Sequence, residues 1–337
     1  MIDKNEHKSF QGLFVLLMII LHLFCNLNMS NAYKPIIYIF NIPISYYIAI
    51  LGDCCVFGFA FLSGYSLTLL DEKENFKNKD YYKKQFKKII RLLVNYWIIL
   101  LLFSLISILI SNGHLMPGSF KEFFANLFLI SNSYNGAWWY LPIYIYLVLL
   151  FPILKKIVNK YPILSLFVFF LIYLISYYLR IKSNIDNFVF VHLYLLGMSS
   201  FEFLIGIYFF KFSILSKLEK YNKKIIFLIL LFLILLLFFA RTLFLQSLFF
   251  APLSGLVIIL LFHCLHRDNY ILSFIGKHST NIWLVHMFFY KYIFIDLVYI
   301  AKYFVLIVFL MLFLCIITSY IIIFIEKIIY SLFERGT

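Results

Sequence analysis

The apolar positions of this chain form long unbroken runs rather than a stripe or an alternation. Ten runs occupy 10–27, 46–70, 92–111, 138–154, 163–179, 190–210, 225–240, 248–265, 279–297 and 303–325. Their lengths cluster near the roughly 17–25 residues that carry a helix across a hydrocarbon core about 30 Å thick. In lipid every backbone polar group needs an internal partner, so a span is a helix or part of a closed barrel. These Leu/Ile/Phe-rich runs are too long for barrel strands. The pattern therefore predicts an all-α polytopic membrane helical bundle with about ten transmembrane helices. The stretch 123–130 is too short to cross and is expected as an interfacial or re-entrant piece. The first run lacks a small-residue cleavage site and reads as a retained span.

Composition sharpens this picture. The chain has 337 residues, 64% hydrophobic and only 13% charged, against about half and a quarter in soluble domains. That leaves no room for a separate soluble domain, so residues 1–337 read as one integral-membrane domain. The net charge of +14 suggests nucleic acid until its distribution is followed. The alternate loops that include both termini hold 22 of the 29 Lys and Arg, the other loops hold 6, and Lys291 lies inside the ninth run. This is the orientation signal of a membrane protein, and it predicts cytoplasmic termini and no nucleic-acid partner. The five cysteines lie in or beside apolar runs without metal-ligand spacing, so free buried thiols and no metal are expected.

Polar residues inside apolar runs are costly and usually functional. His22, Asp53, Glu202 and His286 are such residues. The bland reading is that each hydrogen-bonds a neighbouring helix. At about 1.5 Å per residue, His22 stands roughly 18 Å into the first run and Asp53 roughly 10 Å below the outer edge of the second. Similar depths suggest that the two pair; Glu202 and His286 invite the same suggestion. His192, Arg241 and His114 flank outer ends. The basic loop 71–91 places Lys84, Lys88 and Arg91 at steps of four and three, on one helical face. That face suits either anionic lipid or a phosphorylated ligand. Gly-rich phosphate loops and internal repeats are both missing. A transporter or flippase of a lipid-linked saccharide is the competing class, and a scaffold would gain little from such buried groups.

Several ordered elements resemble the acyltransferase-3 family of integral membrane acyltransferases. Gln11-Gly12 with His22 is similar to its Arg-Gly and His in span one, with Gln11 at the Arg position. The aromatic-rich run 56–65, ending in Ser63-Gly64-Tyr65, is similar to the family's span two, with Phe57 where many members carry Asp. Lys88 and Arg91 match its paired basic residues, Trp138-Trp139-Tyr140-Leu141-Pro142 its Trp-Phe-Leu-Pro element, and 279–286 its Ser-Tyr-x-Ile-Tyr-Leu-x-His.

The resemblance implies transfer of an acyl group, often acetyl, from cytoplasmic acyl-CoA to a hydroxyl of a surface polysaccharide or its lipid-linked precursor. Acyl-CoA is then a co-substrate, and no cofactor is held permanently. An alcohol needs a base, for which His22 with Asp53 is the candidate. Gln11, Ser63, Gly64, Tyr65, Lys84, Lys88 and Arg91 are the expected donor contacts, with Lys8 as a substitute for the missing Arg. Trp138, Trp139, Glu202 and His286 are expected as acceptor-side or structural groups. The default reading of Trp138 and Trp139 is an interfacial aromatic belt, with stacking on a sugar ring as the alternative.

Overall fold

The computed structural model describes residues 2–111, 116–182, 187–244, 249–265 and 269–335. Ten helices correspond to the ten apolar runs: α1 Lys4–Phe24, α2 Cys55–Glu74, α3 Asn78–Ser111, α4 Tyr140–Lys160, α5 Pro162–Lys182, α6 Phe188–Lys211, α7 Lys223–Leu243, α8 Phe250–Leu265, α9 Ser279–Met287 and α10 Phe304–Arg335. Among the described residues, eight helical segments are long and apolar enough to cross a membrane. The last two expected spans before α10 differ: α8 is a shorter apolar helix, and the run 279–297 is broken by a π-turn at Phe288–Tyr292 between α9 and a short helix at Ile295–Tyr299. The stretch expected at an interface forms a short helix, Phe120–Leu127, capped by the Ser119 hydroxyl. The basic segment 71–91 is helical apart from three residues. Asn75 ends α2 in the left-handed conformation, and α3 restarts at Asn78.

The chain divides into two compact units. The first comprises 1–21, 46–83 and 143–277. Within it α2 and α6 cross closely, because Gly64 and Gly206 bring no side chain to the point of closest approach. A Cβ on Gly64 would lie 2.1 Å from the Phe203 carbonyl oxygen, and one on Gly206 would lie 2.1 Å from that of Phe61. Lipid offers no hydrophobic drive between helices, so such backbone approach is a main source of association. Phe57, Phe61 and Tyr65 stack along α2 at 6.0 and 6.2 Å, and Phe61 and Tyr65 meet Phe209 and Phe210 of α6 edge-on. A buried polar tie joins α1 to α8: the Glu6 carboxylate lies 2.6 Å from His263 Nδ1, whose Nε2 is 3.2 Å from Glu219. Its sequence signal was weak, since Glu6 and His263 each sit at the margin of a run.

The second unit comprises 22–45, 84–142 and 278–337. Here α9 packs on α10, and a few polar side chains link them. Asn281 donates to Ser319 Oγ and accepts from Asn95 of α3 at 2.6 Å, and His278 Nδ1 lies 2.9 Å from the same Ser319 hydroxyl. Hydrogen bonds of this kind hold helices at fixed rotation in an apolar medium.

The α2–α6 contact yields a first expectation. Gly206→Leu must push two backbones apart and should destabilise the purified protein by about 1–3 kcal/mol. Leu193→Phe, an enlargement at an exposed position of the same helix, should not. Thermal melting in detergent compares the two.

Candidate active site

The second unit holds the two histidines singled out in the sequence. His22 lies in the last turn of α1, and His286 in the last turn of α9. The Nδ1 of His22 is 2.8 Å from the Nε2 of His286, and the ring centroids are 4.8 Å apart. The Nδ1 of His286 is 2.7 Å from the Trp283 carbonyl oxygen. A carbonyl only accepts, so His286 Nδ1 carries the proton. With His286 neutral, its Nε2 is then the acceptor, and His22 donates from Nδ1. This leaves Nε2 of His22 with an unshared lone pair. Buried groups fix the far ring, since His286 is fully buried, whereas His22 is only half-buried. Tyr290 lies nearly parallel to both imidazoles at 6.0 Å; sequence reasoning missed it because nothing in 279–297 marks one aromatic among many.

The backbone explains why His286 points where it does. The Leu284 carbonyl accepts from Trp138 Nε1 at 3.0 Å and from Asn135 Nδ2 at 2.9 Å. An α-helix would offer that carbonyl to the amide of Phe288. That amide instead goes to the Val285 and His286 carbonyls, and the ladder widens into the π-turn at Phe288–Tyr292. Such turns recur at functional sites. In return Trp283 Nε1 donates to the Ala137 carbonyl at 3.1 Å. Trp138 is thus neither an interfacial belt residue nor a free stacking surface: it is 1% exposed and clamps α9 beside His286. Trp139, half-buried, meets Tyr140 edge-on.

The pairing expected between His22 and Asp53 is replaced by a separate partner for each. Asp53 lies in a short turn, Gly52–Cys54, in the first unit, where its carboxylate takes the Arg241 guanidinium at 2.8 Å. Local pattern could not show this, because Arg241 is distant in sequence and sits at a helix end. Likewise His286 meets His22, while Glu202 is buried in the first unit with Oε2 lacking a hydrogen-bond partner among the described residues. His114 lies outside the described residues.

The expected donor contacts divide between the units. Gln11 is half-buried on α1, and the adjoining Gly12 abuts the Leu272 carbonyl of the short helix Tyr270–Lys277. Ser63 Oγ donates to the Phe59 carbonyl, Gly64 belongs to the α2–α6 crossing, and the Tyr65 hydroxyl accepts from the Ile2 amide at 3.1 Å. All three are tied into the packing of the first unit. Lys84, Lys88 and Arg91 lie along α3 in the second unit, with Lys88 and Arg91 exposed and the Arg91 guanidinium 5.9 Å from the Tyr330 ring centre. Among the described residues, no group of three or more His, Cys, Asp or Glu is arranged to hold a metal.

A family model for an acyltransferase domain matches residues 9–324, nearly the whole chain. The protein belongs to the acyltransferase-3 family. No curated protein and no solved structure was found to match. The chain is thus a multi-pass membrane acyltransferase, and the stretch matched spans both histidines and the Trp138 clamp.

The clamp is testable apart from the histidines. Trp138→Phe keeps the ring and removes one donor from Leu284, while Asn135 remains. The acyltransferase should lose about tenfold in kcat/KM, the equivalent of one hydrogen bond, with unchanged expression. Adding Asn135→Leu should deepen the loss.

Proposed function

We propose that the protein transfers an acyl group, acetyl in the simplest case, from cytoplasmic acyl-CoA to a hydroxyl of a cell-surface saccharide or its lipid-linked precursor. The observation that carries this reading is the Trp283–His286–His22 hydrogen-bond chain, which leaves a lone pair on Nε2 of a half-buried imidazole. An alcohol is a poor nucleophile at neutral pH and gains most from a positioned base. In this reading His22 Nε2 takes the hydroxyl proton as the oxygen attacks the thioester carbonyl. The carbon–sulfur bond then breaks, and the same proton passes to the departing thiolate. No net proton is released. His286 touches His22 rather than substrate: it positions the base and shares the charge that the base acquires.

The donor side is supported by Lys84, Lys88 and Arg91, three cations on successive turns of α3. Phosphate groups suit such a row. The excess of Lys and Arg on alternate loops supports a cytoplasmic location for it, in the plasma or inner membrane.

The test is acetyl content of the surface glycan in a deletion strain complemented with variants at equal expression. Deletion should abolish a defined acetyl group. His22→Ala should reduce transfer by about 10²–10⁴-fold, the span of a general base, and His286→Phe should reduce it less. Unchanged acetylation on deletion contradicts the proposed acceptor. Full rescue by His22→Ala contradicts the base.

A further inference from the structure

The first unit contains a cavity of about 250 Å³ where the ends of α2 and α4 meet the start of α3. Its floor is aromatic. Tyr81 stacks on Phe151 at 5.4 Å, and Phe76 meets Tyr81 edge-on at 6.3 Å. Tyr81 and Phe151 are buried, and the Tyr81 hydroxyl is held by the Val148 carbonyl at 2.6 Å. The floor is therefore rigid before any ligand arrives. One wall is an ion pair: Lys155 Nζ bridges Asp71 and Glu72 at 2.6 and 2.7 Å, tying α4 to α2. The rim carries the carboxamides of Asn78 and Asn159 and the ammonium of Lys156. Lys77 and Lys79 flank Asn78 on the exposed surface.

These features select a ligand class. The volume falls below the roughly 300–1,000 Å³ of pockets that enclose a whole small molecule, so it suits one ring system with the remainder outside. An aromatic floor rewards a flat π-surface. Two carboxamides, each with donors and an acceptor, match a ring edge that alternates the two. Lysines at the rim suit phosphate on the part left outside and disfavour a quaternary ammonium. An alkyl chain would leave the amides unpaired, and a saccharide has no need of the lysines.

We propose that this cavity binds the purine ring of the acyl donor's nucleotide. The proposal rests on the acyl-CoA reading above. It also gives work to the segment 76–81, which neither the histidine pair nor the basic face of α3 explains.

The test is calorimetric binding to the full-length protein in detergent, with adenosine 3′,5′-bisphosphate and CoA as probes. Both should bind the wild type. Phe76→Ala and Asn159→Ala, at half-buried and exposed positions that should tolerate truncation, should each weaken both probes by about tenfold, the scale of one lost base stack or hydrogen bond. Wild-type binding of CoA with no change in either variant overturns the cavity and leaves the donor reading intact. Failure of the wild type to bind either probe overturns both.

Discussion

The hydrogen bond between His22 and His286 is the interaction on which the rest of the site depends. Alone, an imidazole near the end of a spanning helix can rotate and exchange tautomers. Anchored through His286 to the Trp283 carbonyl, its free nitrogen is chosen by the network. That anchoring needs α9 at one rotation and one height. Both are supplied from outside the reacting groups, by indole and carboxamide donors to the Leu284 carbonyl and by the Asn95–Asn281–Ser319 chain. These hydrogen bonds fix the rotation of α9 in a medium where no water competes for their partners.

The two units contribute in different ways. In the first, glycines let helices touch backbone to backbone, and two ion pairs, Asp53 with Arg241 and Lys155 with Asp71, tie segments together. Loss of one partner would leave an unpaired charge in a poorly solvated place, which is more costly than the pair itself is stabilising. In the second unit, polar groups form chains that end on a half-buried imidazole. The π-turn after His286 is the clearest sign of this difference. A regular helix gave up its ladder there to keep two side-chain donors.

Much of this was legible in the sequence, for a definite reason. The membrane enforces unbroken apolar runs, so the helices, their order and the oddity of His22 and His286 could be read locally. Steps of four and three placed Lys84, Lys88 and Arg91 on one face without knowledge of any partner. What failed was pairing. Depth along a helix suggested Asp53 for His22, but depth carries no information on which helices are neighbours or how they are rotated. The Trp138 clamp was hidden similarly: a tryptophan at a run's edge looks the same in an aromatic belt as in a buried hydrogen bond. The Glu6–His263–Glu219 tie combined three unremarkable end residues. The break at Phe288 was invisible because its cause lies about 150 positions earlier, at Asn135 and Trp138.

The central claim is the direction of the hydrogen-bond chain, and nitrogen-15 magnetic resonance of histidine-labelled protein in membranes tests it most directly, with His22 assigned by difference against His22→Ala. At neutral pH the account predicts a neutral His22 ring protonated at Nδ1 and bare at Nε2, with His286 protonated at Nδ1. A His22 ring protonated at Nε2 would contradict it.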